Sequence, residues 1–131
     1  MAKYEHIKLL VIDDEISIRK LLEFYFKKFF TVTTKSDGVE AMTYIKEGNI
    51  PDAIIADLKM PKMDGYEFTG EIRNMDSMKM TPIIILSGNE SSSDRIHCLK
   101  IGADDYLIKP FNPDELYYRL LNILKRTGKI V

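Results

Sequence analysis

The sequence predicts an α/β domain in which five parallel strands form a doubly wound sheet flanked by five helices. Four short apolar runs lack the alternation of a half-exposed strand, which is typical of strands buried on both faces of a parallel sheet, and residues 30–34 add a fifth predicted strand. A segment with helix signals follows each run, and strict strand–helix alternation favours a parallel sheet with right-handed crossovers. The predicted strands are residues 8–12, 30–34, 53–56, 82–86 and 106–108.

Capping residues mark the predicted helices. Asp14 is a candidate cap for the first helix, and Asp37 has Glu40 three residues later, as in a capping box. Asn112 is a candidate cap for the last helix, with Pro113 at its first position. The predicted helices are residues 15–29, 39–47, 66–75, 91–101 and 113–125.

Composition and charge exclude several classes of protein. At 131 residues the chain is long enough for one domain with its own core. A net charge of −1, with both signs interleaved, offers no basic surface for nucleic acid. No apolar stretch has the length of a membrane span or signal peptide, and the single Cys98 is expected to be a packed thiol. We expect a cytoplasmic domain at residues 1–126, followed by a C-terminal tail, or the start of a removed linker, at 127–131.

Polar residues stand where four of the apolar runs stop. Asp13 and Asp14 follow the first run, Asp57 the third, Ser87 the fourth and Lys109 the fifth. Since ligands bind at the carboxyl ends of the strands in such sheets, we expect these side chains to gather at one edge. Three adjacent carboxylates repel one another unless a cation neutralises them, and Mg²⁺ prefers oxygen ligands of this kind. With a hydroxyl and an ammonium added, the group can form and hold an aspartyl-phosphate.

Several segments combine into one specific motif. They are Ile12-Asp13-Asp14-Glu15, Asp57-Leu58-Lys59-Met60-Pro61-Lys62-Met63-Asp64-Gly65, Ser87, Tyr106 and Lys109-Pro110-Phe111. At these residues the chain closely resembles the receiver domain of bacterial two-component response regulators, which has a flavodoxin-like fold. The resemblance covers roughly residues 6–125 and implies a cis-proline after Lys109.

The resemblance implies a role for each site residue. Asp57 would accept a phosphoryl group from a histidine kinase or a phosphotransfer protein, with Lys109 and Ser87 holding the phosphoryl oxygens. The Lys59 carbonyl and the carboxylates of Asp14 and Asp57 would bind Mg²⁺ directly. Asp13 would assist, often through water.

The resemblance also implies a switch and a control of its lifetime. Phosphorylation would draw the Ser87 hydroxyl inward and open space for the Tyr106 ring to turn toward the core. This change would alter the face of the fourth helix, fifth strand and fifth helix, where an output domain or a second copy would bind. Lys59 and Asn89 would flank the path of the attacking water, and neither is a good general base at neutral pH, so we expect a persistent phosphoryl group.

Simpler interpretations exist for each motif taken alone. Asp14 is explained as a helix cap, residues 57–65 as a turn, Ser87 as an ordinary strand exit and Lys109 as a solvated loop residue. Together they fail, because chance does not end four strands on complementary phosphate chemistry.

Two other function classes share parts of this pattern. A Mg²⁺-dependent phosphohydrolase would place an acid/base aspartate two residues after its aspartate nucleophile, where this chain has Lys59. A flavodoxin-like nucleotide carrier is disfavoured because residues 13–15 are acidic and would repel phosphate. We therefore expect a protein that is not an enzyme, beyond promoting its own phosphorylation and dephosphorylation.

Helical periodicity separates core faces from candidate docking faces. At about 100° per residue, one stripe of the first helix comprises Ile18, Leu21, Leu22, Tyr25 and Phe29. Ile16 and Phe24 fall outside it, and Ile16, near the acidic pair, is a candidate kinase contact. The stripe of the last helix comprises Leu116, Leu120, Ile123 and Leu124. Tyr118 points away from it, as a candidate output or dimer contact; with no output domain in the chain, we expect a single-domain regulator or a fragment.

Overall fold

A five-stranded parallel sheet forms the centre of the protein in a computed structural model that describes residues 3–88 and 91–131. The strands are β1 (Tyr4–Ile12), β2 (Phe30–Lys35), β3 (Ala53–Asp57), β4 (Ile83–Ser87) and β5 (Asp105–Ile108), in the order β2-β1-β3-β4-β5. The helices are α1 (Ile16–Phe26), α2 (Gly38–Lys46), α3 (Gly65–Arg73), α4 (Ser92–Lys100) and α5 (Pro113–Arg126), with a 3-10 helix at Asp76–Met78. The predicted fold is confirmed.

Two apolar layers, one on each face of the sheet, explain why the inner strands β1, β3 and β4 carry continuous apolar runs. Leu9 and Val11 of β1 pack with α1 and α5, whereas Leu10 and Ile12 pack with α2, α3 and α4. Every residue of β3 and β4 is buried. Both faces are therefore covered, as expected for a parallel sheet.

The limits of two elements, α1 and β1, differ from the prediction by three residues or more at one end. Helix α1 ends at Phe26, three residues early, and Phe29 in the following turn stacks on Tyr117 with ring centroids 4.1 Å apart. Phe29 thus keeps its predicted packing on the core without being helical. Strand β1 begins at Tyr4, earlier than predicted. Its first residues are mostly exposed and pair irregularly with β2, so the sequence has no apolar run there to mark the strand.

Two predicted caps are present and one is wrong. The Asp37 carboxylate accepts the Glu40 N–H at 2.8 Å, and Glu40 accepts the Ser36 N–H at 3.0 Å. Asn112 caps α5 through the Asp114 N–H at 2.8 Å. Asp14 does not cap α1, because Glu15 occupies the N-cap position and no side chain caps that helix. The Asp14 carboxylate instead lies beside those of Asp13 and Asp57.

The stripe predicted for α1 is partly wrong. Leu21 is 46% exposed, whereas Phe26, left out of the predicted stripe, is fully buried. The buried face centres near Leu22, which places Leu21 about 100° around the helix. Ile16 and Phe24 are 58% and 64% exposed, as predicted.

The stripe of α5 is confirmed, since all four of its predicted residues are buried and Tyr118 is 62% exposed. After α5 the chain turns back onto the domain, where Ile130 is buried and its N–H donates to the Leu124 carbonyl. Cys98 is a buried free thiol. No helix in the two described ranges has both the length and the apolar character needed to span a membrane.

Candidate functional site

Three carboxylates converge at the carboxyl ends of the neighbouring strands β1 and β3. Strand β1 pairs with β3 so that Ile12 lies opposite Ala56, which brings the residues that follow them together. Ligand oxygens of Asp13, Asp14 and Asp57 all lie within 4.8 Å of one another. Asp13 and Asp57 are buried and Asp14 is exposed, so the cluster opens to solvent on one side.

Lys109 neutralises part of this cluster. It follows β5 and reaches across β4, and its Nζ lies 3.2 Å from an oxygen of Asp13 and 3.2 Å from an oxygen of Asp57. Its backbone N–H donates to the Ser87 carbonyl at 2.7 Å, and its peptide bond to Pro110 is cis. The lysine is therefore held by backbone and side chain together.

Burial and mutual repulsion determine the titration of the site. Burial, followed by the charge of Asp13, raises the pKa of Asp57 to about 6, although Lys109 opposes both. Burial also raises the pKa of Asp13. For Lys109, burial lowers the pKa but the two carboxylates raise it by more, so that the ammonium form is favoured.

A cleft above these groups brings in the remaining site residues. Ser87, at the end of β4, and Lys59, in the loop after β3, line it together with Asp14, Asp57 and Lys109. Glu15 and Gly88 also line the cleft, and sequence reasoning did not identify them as site residues. The only feature of the sequence that indicated them was their position next to the predicted site residues Asp14 and Ser87.

The donor set fits a hard divalent cation. Carboxylate oxygens are what Mg²⁺ prefers, and an open side leaves coordination positions for water and phosphate. A cation would also relieve the repulsion that raises the pKa of Asp57.

Comparison with known proteins identifies the family. The family model described as the response regulator receiver domain matches residues 9–121. This chain belongs to that family. The chain is thus a receiver domain of the kind found in two-component response regulators, and the family match covers every predicted site residue.

Curated relatives of this receiver domain are named as transcriptional regulators. The probable transcriptional regulator ycf27 of Guillardia theta is 45% identical over 123 residues, which are 93% of this chain and 47% of the relative. The alkaline phosphatase synthesis transcriptional regulatory protein PhoP of Bacillus subtilis is 40% identical over 121 residues, or 92% and 49%. The chain spans about half the length of the curated relatives it matches.

Solved structures confirm the receiver fold. A putative response regulator from Chloroflexus aurantiacus matches with a TM-score of 0.85 and 37% identity, over 91% of this chain and 98% of that one. The chemotaxis response regulator CheY4 of Vibrio cholerae matches with a TM-score of 0.83 and 35% identity, over 90% and 98%.

The structure does not bring every predicted residue of the receiver domain into the cleft. Tyr106 lies on β5, away from the cleft lining, and its ring is buried in the apolar layer that includes Cys98 of α4. Asn89 lies outside the described residues. The five charged and hydroxyl-bearing residues predicted at the strand ends do come together, although strands β1 and β5 lie three positions apart in the sheet.

Proposed function

We propose that this receiver domain accepts a phosphoryl group on Asp57, from a histidine kinase or a phosphotransfer protein and with Mg²⁺. The observation that carries the proposal is the bridging of Asp13 and Asp57 by Lys109 beside the exposed Asp14. A mere helix cap or loop lysine does not need this arrangement, whereas an aspartyl-phosphate needs every part of it.

In the proposed reaction an Asp57 carboxylate oxygen attacks the phosphorus of a phosphohistidine. The O–P bond forms as the P–N bond breaks, and the electron pair leaves with the histidine nitrogen of the donor. Asp14, Asp57 and the Lys59 carbonyl would hold Mg²⁺, with Asp13 assisting, and the ion would supply positive charge against the phosphoryl oxygens. Lys109 exchanges its contact with Asp57 for one with a phosphoryl oxygen, since its ammonium already lies 3.2 Å from the acceptor carboxylate.

The partner-binding face of the proposal comprises α4, β5 and α5. Ile96 and Leu99 on α4 and Tyr118 on α5 are exposed. We propose that an output domain or a second copy docks there, in keeping with the longer transcriptional regulators, of which this chain spans about half the length. The proposal includes no contact with nucleic acid or membrane by this chain itself. It also keeps the cytoplasmic location, with which the buried free thiol of Cys98 is compatible.

We do not expect this domain to turn over external substrates. The position two residues after Asp57 carries Lys59, which has no carboxylate and so cannot take the part of the acid/base aspartate of a phosphohydrolase.

A phosphodonor assay tests the proposal. Incubation with acetyl phosphate should add one phosphate, measured by intact mass spectrometry, when Mg²⁺ is present and none when it is chelated. The Asp57→Asn variant should gain no phosphate, whereas Asp64→Asn, in the same loop but outside the cluster, should behave as the parent. Equal labelling of Asp57→Asn would refute the assignment, and steady hydrolysis of p-nitrophenyl phosphate by the parent would favour the phosphohydrolase.

A further inference from the structure

The loop between β3 and α3, residues 58–64, lies directly against the first residue of α2. A Cβ atom built on Gly38 would stand 2.5 Å from the Met63 carbonyl oxygen and 2.9 Å from the Met63 Cβ. Ordinary contacts begin at 3.4 Å, so the two backbones approach more closely than any other residue at position 38 allows. The Lys62 ammonium, 3.7 Å from the Asp37 carboxylate, adds an ion pair to the same contact.

This loop has little freedom to absorb a displacement of Met63. Its ends are joined, because the Leu58 carbonyl accepts the Gly65 N–H at 2.7 Å, and the Leu58 N–H donates to β4 at 2.9 Å. Within the loop the Met63 N–H donates to the Pro61 carbonyl at 2.7 Å. Pro61 has a fixed φ, and Lys62 already has a φ of 69°. A displacement of Met63 would therefore also displace Met60 and Lys59.

Helix α2 is held more firmly than the loop. Ala41, Met42 and Ile45 are buried in the layer between α2 and the sheet, and Asp37 caps the helix. Close-packed interiors resist such shifts. An added methyl group at position 38 would thus move the loop rather than the helix.

We propose that Gly38 is a positioning residue for the cation site, although it lies outside the cleft and 19 positions before Asp57 in the chain. Because Gly38 has no side chain, the Met63 carbonyl can approach it closely, and the loop can then hold the Lys59 carbonyl next to Asp57. The inference rests on the proposed function, because the role of the Lys59 carbonyl as a ligand belongs to it. Residues that orient metal ligands without touching the ion commonly change metal affinity when they are replaced.

The test compares two glycine-to-alanine variants of the unphosphorylated domain. Mg²⁺ is titrated while ¹H–¹⁵N shifts are followed, and melting temperatures are measured without Mg²⁺. Gly38→Ala should weaken Mg²⁺ binding by about tenfold. Gly70→Ala adds the same methyl group to α3 where no atom lies within 4 Å, so its affinity should match the parent and its melting temperature should hold or rise.

The outcomes separate the inference from the proposed function. If the parent itself binds no Mg²⁺, the metal site of the proposed function is wrong and the inference falls with it. If the parent binds Mg²⁺ and Gly38→Ala binds it equally well, the inference alone is overturned, even when the variant melts lower. Should Gly38→Ala not fold, Met63→Gly removes the Met63 Cβ from the same contact without adding an atom. Weaker Mg²⁺ binding, with faster amide exchange at Lys59 and Met60, would support the inference, and unchanged binding would overturn it.

Discussion

Lys109 occupies a position that two buried carboxylates require. Asp13 and Asp57 would repel each other across the strand ends without the ammonium that lies 3.2 Å from both. Even with it, burial leaves the pKa of Asp57 at about 6, so the site retains a need for further positive charge. The resting site is thus prepared for a cation.

The first prediction concerns pH. The pKa of Asp57 is about 6 in the folded domain and 3.8 in its ordinary state, so between these values the folded state binds more protons. The contribution of Asp57 to stability is therefore present below pH 3.8 and is lost as the pH rises to about 6. Mg²⁺ needs the ionised carboxylate, so its affinity should fall steeply below pH 6.

Calorimetric titration with Mg²⁺ from pH 5 to pH 8 measures this effect. Asp57→Asn removes the titrating group and should flatten most of the pH dependence along with lowering the affinity. A parent affinity that is constant across this range would contradict the prediction.

The second prediction concerns Ser87. The hydroxyl is buried at the end of β4 in the same cleft as Asp57, within reach of a phosphoryl oxygen in the proposed state. Ser87→Ala should still accept phosphate but lose one charge-assisted hydrogen bond. The equilibrium between the active and the resting conformation should therefore shift toward the resting one by about tenfold. Ser87→Thr keeps the hydroxyl and serves as the control. Partner binding of the phosphorylated variants is the measurement, and a full response from Ser87→Ala would rule out the coupling.

The predicted switch turns the Tyr106 ring toward the core on phosphorylation. In the structure its ring is already buried in the layer beneath α4. A turn of this ring on phosphorylation stays a prediction.

The third prediction concerns Lys59 in the loop after β3. Its long cationic side chain lines the cleft and is exposed, so it can lie across a phosphoryl group and exclude water. Lys59→Asn should speed dephosphorylation by roughly tenfold, less than the loss of a true general base changes a rate. Lys79→Asn, the same replacement at an exposed lysine outside both the cleft and this loop, should leave the rate unchanged. Asn89→Glu tests the other flanking position of the prediction. An equal or slower rate in Lys59→Asn would exclude shielding.

Arg73 joins α3 to the chain around β4 and β5. Its guanidinium donates to the carbonyls of Thr81 at 2.7 Å and Gly102 at 2.9 Å, and pairs with Asp104 at 3.0 Å. The side chain is largely buried, and burial lowers its pKa, but Asp104 opposes the shift. Several loop carbonyls thus depend on a single side chain.

The fourth prediction follows from these contacts. Arg73→Met removes the donor of the Thr81 and Gly102 carbonyls and the cationic partner of Asp104, which keeps its hydrogen bond from the Ile83 N–H. It should lower the free energy of unfolding by about 3 kcal/mol. Arg95→Met on the exposed face of α4 is the matched control and should change it by less than about 0.5 kcal/mol. Urea denaturation measures both, and a similar small loss in the two variants would contradict this account.

The fifth prediction concerns the surface of the domain that binds its phosphodonor protein. Ile16 is exposed at the start of α1, next to the strand end that carries Asp13 and Asp14. Ile16→Ser should slow phosphotransfer from the cognate donor by about tenfold, as for an apolar contact at an interface centre. Phe24→Ser, about 12 Å further along the helix, controls for loss of an exposed apolar side chain. Labelling by acetyl phosphate should be normal in both, and an unchanged rate in Ile16→Ser would eliminate this docking site.

Much of the fold follows from local patterns. The continuous apolar runs indicated buried parallel strands, and Asp37 with Glu40 marked the start of α2, because capping and burial on two faces leave their signature in neighbouring residues. The gathering of Asp13, Asp57 and Lys109 followed from topology, since parallel strands end at one edge.

Other features depended on packing between distant residues. The chain alone did not show that Asp14 leaves its helix uncapped, that Leu21 faces solvent, or that Lys109 bridges two particular carboxylates. The approach of Gly38 to Met63 joins residues 25 positions apart in the chain. Such contacts depend on how far each helix rotates and where each loop rests, which the three-dimensional packing of the core decides.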